Sequence, residues 1–505
     1  ELQNQRTIRS LEIEGVGMIL CAIIDYKGQR IIGQSIIPGI FAQGENVARL
    51  MYGILDKEKL LTVSSTIVVV ALPIKVDETD NVVAATATST PHCGPIEGKV
   101  LRGSDGRDYV LEVMRLTPRD ANYVAGEKGT GKVTTLDKTD KDLAVTYILR
   151  PELISIYVQR KMNMERQKIM MEAAAKQKQL LADKAPKAET ETPALDEETM
   201  RTLTEEYTAK MKEITVASLG LEVNPNCFLD FEFDVDAAVV KKDEDTAREL
   251  ATFLWDVVLP AVTKQVRDGD IQVRDNAAMV KLLHRNGVNM RYLGALLNLA
   301  QKVHAMPLFW REMLTVEVVA RAVKYVLNSY FKQSAAVFAA PAQTVASVLN
   351  HVLSLLVPPA TTAPVATEET NTTTEVSKKS KKKKGGKGVE PAVTAAVTTK
   401  VDEKALLFPV PDSATNCDDV LRLIQETVAS RFCFDLPLSS TASEAELESS
   451  KKFLQSRMSA LPLLRRICQV CGIQIATRKY NFSTATPLAA ADILGLYPIV
   501  KSCEP

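Results

Sequence analysis

The chain has 505 residues, with 62 basic and 62 acidic side chains, so its formal net charge is zero and no global field favours nucleic acid. The length exceeds what one hydrophobic core organises and predicts three or four domains, while 46% apolar and 25% charged residues are ordinary for a soluble globular protein. No apolar run approaches the roughly 18 residues of a membrane-spanning helix, and the eight cysteines are scattered as reduced cytosolic thiols are. Because the chain opens at Glu1 without a methionine, we expect it to be a fragment, and a missing targeting segment proves little.

The first region, residues 1–150, alternates short apolar strands with turns and predicts an α+β domain. The predicted strands are Met18–Ile24, Arg30–Ile37 and the β-branched run Thr66–Lys75, and Asn46–Leu55 is predicted to be a short helix.

A β-hairpin is predicted within the stretch from His92 to Tyr123. Ser104-Asp105-Gly106-Arg107 separates two segments of strand character, and Asp-Gly supplies the positive φ angles of a tight type I′ turn. The residues after this turn alternate, with Tyr109, Leu111 and Val113 on one face and Asp108 and Glu112 on the other.

Several arginines and carboxylates accompany this hairpin, and their role has two interpretations. One is a half-buried hairpin whose wet side is salt-bridged. The other is an exposed ridge that binds anions or RNA through Arg107, Arg115 and Arg119.

The glycine-rich segment Gly126–Lys132 has the G-x4-G-K spacing of a phosphate loop. However, Val133 stands where a Mg²⁺-binding Ser or Thr would be required, and no helix character follows. A flexible loop is therefore predicted rather than a nucleotide site.

The middle of the chain is predicted to be mostly helical. A long helix over 151–184 begins at Pro151 and is followed by a linker over 185–200 and a helical region over 201–357. In this region Pro260 should kink or break a helix, Gly287 should end one as a left-handed cap, and Asn289 should cap the next. The predicted helices are Glu198–Leu219, Asp245–Val266, Ala277–His284, Met290–His304, Thr315–Phe331 and Thr344–Leu356.

Residues 358–404 are predicted to be a disordered, lysine-rich linker, because their Thr, Ala, Pro and Lys composition buries too little apolar surface to fold. A run of lysines in this linker would attract phosphates without reading sequence, and the alternative is a solvated spacer or a localisation signal. The run consists of Lys378, Lys379, Lys381, Lys382, Lys383 and Lys384.

The last region, 405–505, is predicted to be a small α/β domain. Its predicted elements are helices over Cys417–Phe432, Ala445–Ala460 and Leu461–Cys471, a strand over Ile473–Lys479 and a short helix over Ala489–Leu496.

No catalytic constellation is evident in the sequence, so we expect a non-enzymatic protein without metal or cofactor. The four histidines are dispersed, and Cys468-Gln469-Val470-Cys471 lacks the two further ligands of a zinc site and the fold context of a redox pair. Buried helix cysteines are the favoured interpretation. Tyr109, Tyr123 and Tyr292 lie near arginines and are candidate groups for stacking on RNA bases, although burial in the core is favoured for each.

Motifs along the whole chain resemble those of the clustered-mitochondria (Clu) proteins, from the central Clu domain to the region that precedes the tetratricopeptide repeats. They occur in the family's order: Asp25-Tyr26-Lys27-Gly28 with Gln34–Ile40, the hairpin stretch, Arg150-Pro151-Glu152-Leu153, Gly287–Gly294, and Asp492-Ile493-Leu494 with Tyr497–Lys501. No repeat with a period of about 34 residues is visible here, so the family's repeats and its ubiquitin-like region would lie outside this chain.

The resemblance implies a cytoplasmic RNA-binding scaffold that acts in granules or near mitochondria. Its partners would be mRNAs for nuclear-encoded mitochondrial proteins, with ribosomes, translation factors and proteins of the mitochondrial outer surface as further candidates. The alternative is a protein–protein scaffold that associates with ribosomes or translation factors without touching RNA, and a phosphate-binding enzyme built on Gly126–Lys132 is a third, weaker hypothesis.

Overall fold

The computed structural model describes residues 2–9, 12, 14–27, 29–40, 49–50, 95, 99–111, 116–133, 147–183, 195–229, 236–333, 335–357, 417–434, 436, 444–484 and 486–502. The predicted strand Thr66–Lys75 and the predicted linker 358–404 lie outside these residues. Of the predicted helix Asn46–Leu55 only Arg49–Leu50 is described, and it forms a short strand instead.

The described strands form small sheets, and the helices make up most of the remaining structure, which agrees with the predicted α+β class. The strands are β1 (Val16–Met18), β2 (Cys21–Tyr26), β3 (Gln29–Gln34), β4 (Arg49–Leu50), β5 (Lys99–Arg102), β6 (Asp108–Leu111), β7 (Ile473–Ile475), β8 (Ile493–Leu496) and β9 (Ile499–Ser502). The helices are α1 (Leu2–Arg9), α2 (Pro151–Asp183), α3 (Glu197–Glu213), α4 (Ala237–Phe253), α5 (Leu259–Asp268), α6 (Asn276–Arg285), α7 (Leu293–Lys302), α8 (Leu308–Gln333), α9 (Ala335–Ala339), α10 (Ala342–Ser354), α11 (Cys417–Phe432), α12 (Glu444–Arg457) and α13 (Ala460–Cys471).

The predicted hairpin is confirmed as β5 and β6, which pair antiparallel within a sheet of order β1-β6-β5-β4. Its connection is longer than the predicted type I′ turn: Gly103 N–H donates to the Arg107 carbonyl at 2.8 Å, and Gly106 N–H donates to the Gly103 carbonyl at 3.0 Å. Gly106 has the expected positive φ of 79°, whereas Asp105 does not enter the left-handed region. A five-residue loop with a single left-handed glycine therefore replaces the tight turn.

The structure shows which face of the hairpin is buried. Val110 is fully buried, whereas Tyr109 and Leu111 on the opposite face are only partly buried. The predicted alternation of side chains along β6 is confirmed. The strand β1 pairs with β6, and the face that carries Val110 points into the core.

The second sheet joins the two ends of the chain. Its order is β3-β2-β9, and Ala22 of β2 pairs with Ser502 of β9 in antiparallel register. The predicted first region (1–150) and last region (405–505) thus share one sheet. The predicted strand Met18–Ile24 is divided between the two sheets, with β1 in one and β2 in the other.

At the centre of the fold, α8 packs against α7, α11 and α13. The predicted helix Ala489–Leu496 is wrong over its second half, because Ile493–Leu496 is a strand that pairs with β7. The predicted helix Cys417–Phe432 is confirmed to the residue, and Gly287 ends α6 with the expected positive φ of 73°.

A π-helical turn interrupts the predicted helix Asp245–Val266. The turn covers Leu254–Val258, with the Leu259 N–H bonded to the Leu254 carbonyl, and α5 follows it. Pro260 explains the position of this turn, because its missing N–H cannot make the α-helical bond to Asp256.

Two further helix starts differ from prediction. α3 begins at Glu197, one residue before the predicted start at Glu198 and within the predicted linker 185–200, because the Asp196 carboxylate accepts from the Thr199 N–H and caps the helix. Asn289 precedes a 3₁₀ turn over Met290–Tyr292 but does not cap it, since its side chain donates instead to the Ile148 carbonyl at 2.9 Å.

Candidate nucleic-acid interface

Of the predicted RNA-contacting residues, the structure describes Arg107 and Arg119. Arg107 is exposed in the hairpin loop, whereas Arg115 and the lysine run from Lys378 to Lys384 lie outside the described residues. Arg119 is only 1% exposed, and its Nη1 donates to the Pro225 carbonyl at 3.4 Å. The inclusion of Arg119 in an exposed ridge is therefore wrong, because its backbone bridges to Ile148 and places the side chain in the interior.

The solvent-facing side of the hairpin carries a salt bridge, in agreement with the interpretation of a half-buried, salt-bridged hairpin. Arg102 binds the Asp108 carboxylate with both Nε and Nη2, at 2.7 and 2.5 Å. The Tyr109 hydroxyl donates to Asp105 at 2.8 Å, and this bond, more than any other influence, lowers the pKa of Asp105. Tyr109 is thus held by its own hairpin.

A buried polar cluster lies directly after the hairpin. The Tyr292 hydroxyl donates to Asp120 at 2.7 Å, and the Asn122 amide donates to the Tyr292 oxygen at 2.9 Å and to the Ala251 carbonyl at 2.8 Å. Tyr292 is 0% exposed and Tyr123 is also buried, so both predicted stacking candidates belong to the core. Desolvation raises the pKa of Asp120, and the charge of Arg291 opposes this shift.

The glycine-rich segment Gly126–Lys132 is held against the helices that follow it. The Lys132 ammonium lies 2.9 Å from the Asp256 carboxylate, and Arg248 Nε donates to the Lys128 carbonyl at 2.8 Å. Gly129 has no room for a side chain, because a Cβ there would lie 1.9 Å from the Val124 carbonyl oxygen. Lys132 is therefore engaged by a carboxylate rather than directed at a phosphate.

The C-x-x-C pair lies on α13 with both thiols largely buried. Desolvation raises the pKa of Cys468 to about 11 and that of Cys471 to about 12, so both are protonated at neutral pH and are poor nucleophiles. Within the described residues, no group of three or more His, Cys, Asp or Glu side chains could hold a metal ion.

Two cation–π pairs form a surface that the sequence did not predict. The guanidinium carbon of Arg431 lies 4.6 Å from the centroid of the Tyr325 ring, and that of Arg291 lies 4.0 Å from the centroid of the Tyr147 ring. Arg291 and Phe432, the residue after Arg431, line the same cleft, so the two pairs lie in the same region of the fold. We call these four residues the arginine–tyrosine track.

The track is assembled from four separate parts of the chain and is exposed at its Tyr325–Arg431 end. Tyr325 lies on α8 and is 39% exposed, Arg431 lies on α11 and is exposed, and Tyr147 and Arg291 are half-buried in the segments before α2 and α7. No local pattern links positions 147, 291, 325 and 431, so no sequence signal identifies the track.

A cleft of about 190 Å³ opens at the Arg291 end of the track. Its aromatic lining comes from Tyr123, Trp255 and Phe432, and its polar lining from Arg291, Asn298 and Lys302. The π-helical turn carries Trp255, and the ring of this residue meets Tyr292 edge-on at 6.0 Å. The cleft thus adjoins the buried Asp120–Tyr292 cluster.

Comparison with known proteins identifies the family. A family model described as "Clustered mitochondria" matches residues 1–123. The Clustered mitochondria protein of Arabidopsis thaliana is 27% identical over 525 residues, which cover 100% of this chain and 34% of that protein. The chain belongs to the clustered-mitochondria family. The predicted resemblance to Clu proteins is therefore confirmed.

Further Clu relatives show similar coverage. The homologue from Dictyostelium discoideum is 27% identical over 534 residues (100% of this chain, 34% of that protein), and the one from Aspergillus terreus is 30% identical over 372 residues (70% and 26%). The chain thus spans about a third of the length of the curated Clu relatives it matches. No solved structure matches it.

A second family model, described as "Translation initiation factor eIF3 subunit 135", matches residues 271–482 of this Clu chain. The buried Asp120–Tyr292 bond joins the two matched segments, and three of the four track residues lie in the second one. In the part of the Clu chain that the structure describes, no helix is both long enough and apolar enough to cross a membrane.

Proposed function

We propose that this Clu-family chain is a non-enzymatic, cytoplasmic RNA-binding scaffold that contacts single-stranded mRNA through the arginine–tyrosine track. The transcripts would be those of nuclear-encoded mitochondrial proteins, and the activity would support the distribution of mitochondria. The relatives are named for clustered mitochondria. The observation that carries this proposal is the pair of cation–π contacts, Arg431 with Tyr325 at the surface and Arg291 with Tyr147 half-buried beside it.

The chemistry of the track suits an unpaired RNA strand. Every base has a flat π face that stacks on tyrosine or on an arginine plane, and arginine also binds phosphate through its fork of N–H donors. Because the net charge of the chain is zero, affinity for RNA must come from a local arrangement of this kind. Arg107, Arg115 and the lysine run remain proposed as additional phosphate contacts.

Crosslinking of the chain to RNA, with peptide-level mapping, tests the proposal. The expected crosslinks lie on the peptides that contain Tyr147, Arg291, Tyr325 and Arg431. Replacement of Tyr325 by Ala together with Arg431→Gln should weaken binding of single-stranded RNA roughly tenfold, since stacking on one base contributes about 1–3 kcal/mol.

A matched control is Arg201→Gln, which removes an exposed arginine on α3 that pairs with Glu205. This control should bind RNA as the parent does. If the track variant, still folded, also binds like the parent, the direct contact is refuted.

A protein–protein scaffold for the translation machinery is the second candidate, favoured by the match of residues 271–482 to a translation-factor family. It predicts that the chain associates with ribosomal complexes after nuclease treatment and shows no crosslink to RNA. The RNA-binding proposal predicts that nuclease treatment releases the chain from ribosomal complexes and that the chain crosslinks to RNA.

A further inference from the structure

The cleft next to the track has a lining that combines aromatic, aliphatic and polar side chains. Trp255 contributes a partly exposed aromatic ring, Phe432 is buried behind the lining, and Asn298 and Lys302 are exposed on α7. Asn298 and Lys302 are four residues apart, so both side chains lie on the same face of that helix. An amide and an ammonium group are therefore presented beside a tryptophan ring.

Arg291 adds a hydrogen-bonding group that none of the described residues satisfies. Its Nη1 is buried and has no hydrogen-bond partner within the part of the chain that the structure describes. A buried donor without an acceptor is unfavourable, and it gains most when a ligand supplies the acceptor. Among the described residues that line the cleft, none carries a carboxylate, so the charge of the cleft is positive.

We propose that the cleft receives one unpaired nucleobase of an RNA strand, stacked on Trp255, with a flanking phosphate at Lys302 and Arg291. This inference rests on the proposed RNA binding and names the base-binding site of that activity. The Asn298 amide, which offers both donors and an acceptor, would contact the polar edge of the base.

The size of the cleft supports this choice of ligand. A volume of about 190 Å³ is below the roughly 300–1,000 Å³ of pockets that enclose drug-sized molecules. It suits one flat ring rather than a run of stacked bases. Double-stranded RNA is disfavoured, because its bases are paired and stacked and cannot enter singly. An acidic peptide would pair with the cations but would leave the flat face of Trp255 without a stacking partner.

Intrinsic fluorescence offers a direct test, because the chain contains two tryptophans and they lie in different environments. Trp255 lines the cleft, whereas Trp310 is 0% exposed. Titration of the intact chain with a ten-nucleotide oligouridine should quench the emission saturably. The conservative variant Trp255→Phe should abolish the quenching, while a double-stranded RNA of equal length should produce none.

Two cleft variants and one matched control complete the test. Asn298→Ala and Lys302→Gln should each weaken oligouridine binding about three- to tenfold, as measured by fluorescence anisotropy of labelled RNA. The control Lys264→Gln, an exposed lysine on α5 that does not line the cleft, should leave the affinity unchanged. Thermal melting verifies that each variant is folded.

A crosslinking measurement on the unsubstituted chain does not depend on the folding of any variant. Photocrosslinking with 4-thiouridine RNA should label the peptide that contains Trp255. If RNA binding depends on Arg431 but gives neither quenching nor this crosslink, the cleft is not the base-binding site. The proposed RNA-binding function would still stand. Absence of all single-strand binding would overturn both.

Discussion

The hydroxyl of Tyr292 donates a 2.7 Å hydrogen bond to the carboxylate of Asp120, across 172 residues of sequence. Both residues are buried, and Asn122 donates to the same Tyr292 oxygen. The bond connects the segment that follows the β5–β6 hairpin with the start of α7. Arg291, the residue before Tyr292, is thereby held where it meets both Tyr147 and the cleft.

Replacement of Tyr292 by Phe should therefore destabilise the fold. The variant leaves a buried Asp120 carboxyl without its side-chain donor, so the free energy of unfolding should fall by about 1–3 kcal/mol. Urea unfolding followed by circular dichroism measures the change. Tyr497→Phe is a suitable control, because Tyr497 is exposed and should change stability by less than about 0.5 kcal/mol. Equal stability of both variants would contradict the structural role of the bond.

The turn of the hairpin provides a purely conformational prediction. A Cβ at Gly106 would meet no atom within 4 Å, so any cost of a larger residue comes from the positive φ of 79°. We expect Gly106→Val to lower the free energy of unfolding by roughly 1 kcal/mol or more. Gly106→Asn should cost much less, because asparagine tolerates the left-handed region. A melting temperature unchanged in the valine variant would be inconsistent with this turn.

We expect Asp25 to contribute to the free energy of unfolding in a pH-dependent way. Burial alone would raise its pKa, but hydrogen bonds from Arg30 and Lys324, at 2.8 and 3.0 Å, outweigh burial and lower the pKa to about 2. A depressed folded-state pKa stabilises the fold above the unfolded value of about 3.9, and this contribution is lost as the pH falls towards 2.

Asp25→Asn should accordingly cost about 1–3 kcal/mol at pH 7, and the difference from the parent should shrink below pH 4. Urea unfolding at pH 7, 4 and 2.5 measures this trend. Glu205→Gln, which breaks an exposed pair on α3, should have little effect at any of these values. A difference that stays constant with pH would show that the charge of Asp25 is not responsible.

The composition of residues 358–404 predicts the first site of proteolysis. This segment is polar and rich in small residues and lysine, so limited trypsin should cleave between Lys378 and Lys387 before it cleaves elsewhere. Mass spectrometry of early fragments identifies the site. Resistance of this segment under native conditions would mean that the predicted linker is ordered.

The lysine run and the hairpin arginines should affect RNA binding in different ways. Replacement of Lys378, Lys379 and Lys381–Lys384 by Gln should weaken binding equally for every RNA and flatten its salt dependence by about 0.7 per lost phosphate contact. Arg107→Gln or Arg115→Gln should instead change the preference among RNA sequences if those residues meet bases. Affinities measured at several salt concentrations, with several oligonucleotides, separate the two effects. A changed sequence preference in the lysine variant would refute non-specific attraction.

Local features of the chain were predictable because their causes are local. The hairpin with its left-handed Gly106, the end of α6 at Gly287 and the helix Cys417–Phe432 all follow from turn chemistry and periodicity within a few residues. The Clu resemblance was equally accessible, since its motifs are short and occur in a fixed order. These features depend on neighbours along the chain, which any single sequence displays.

Only the tertiary structure decided which of these residues face solvent and which meet one another. Arg119 belongs to the interior because a backbone bridge to Ile148 turns it there, although its neighbourhood in the sequence is polar. The pairing of Arg291 with Tyr147 and of Arg431 with Tyr325 arises when helices from distant regions pack around α8. Sequence periodicity specifies the apolar face of each helix but not the helix it packs against, so the track and the cleft exist only in the assembled fold.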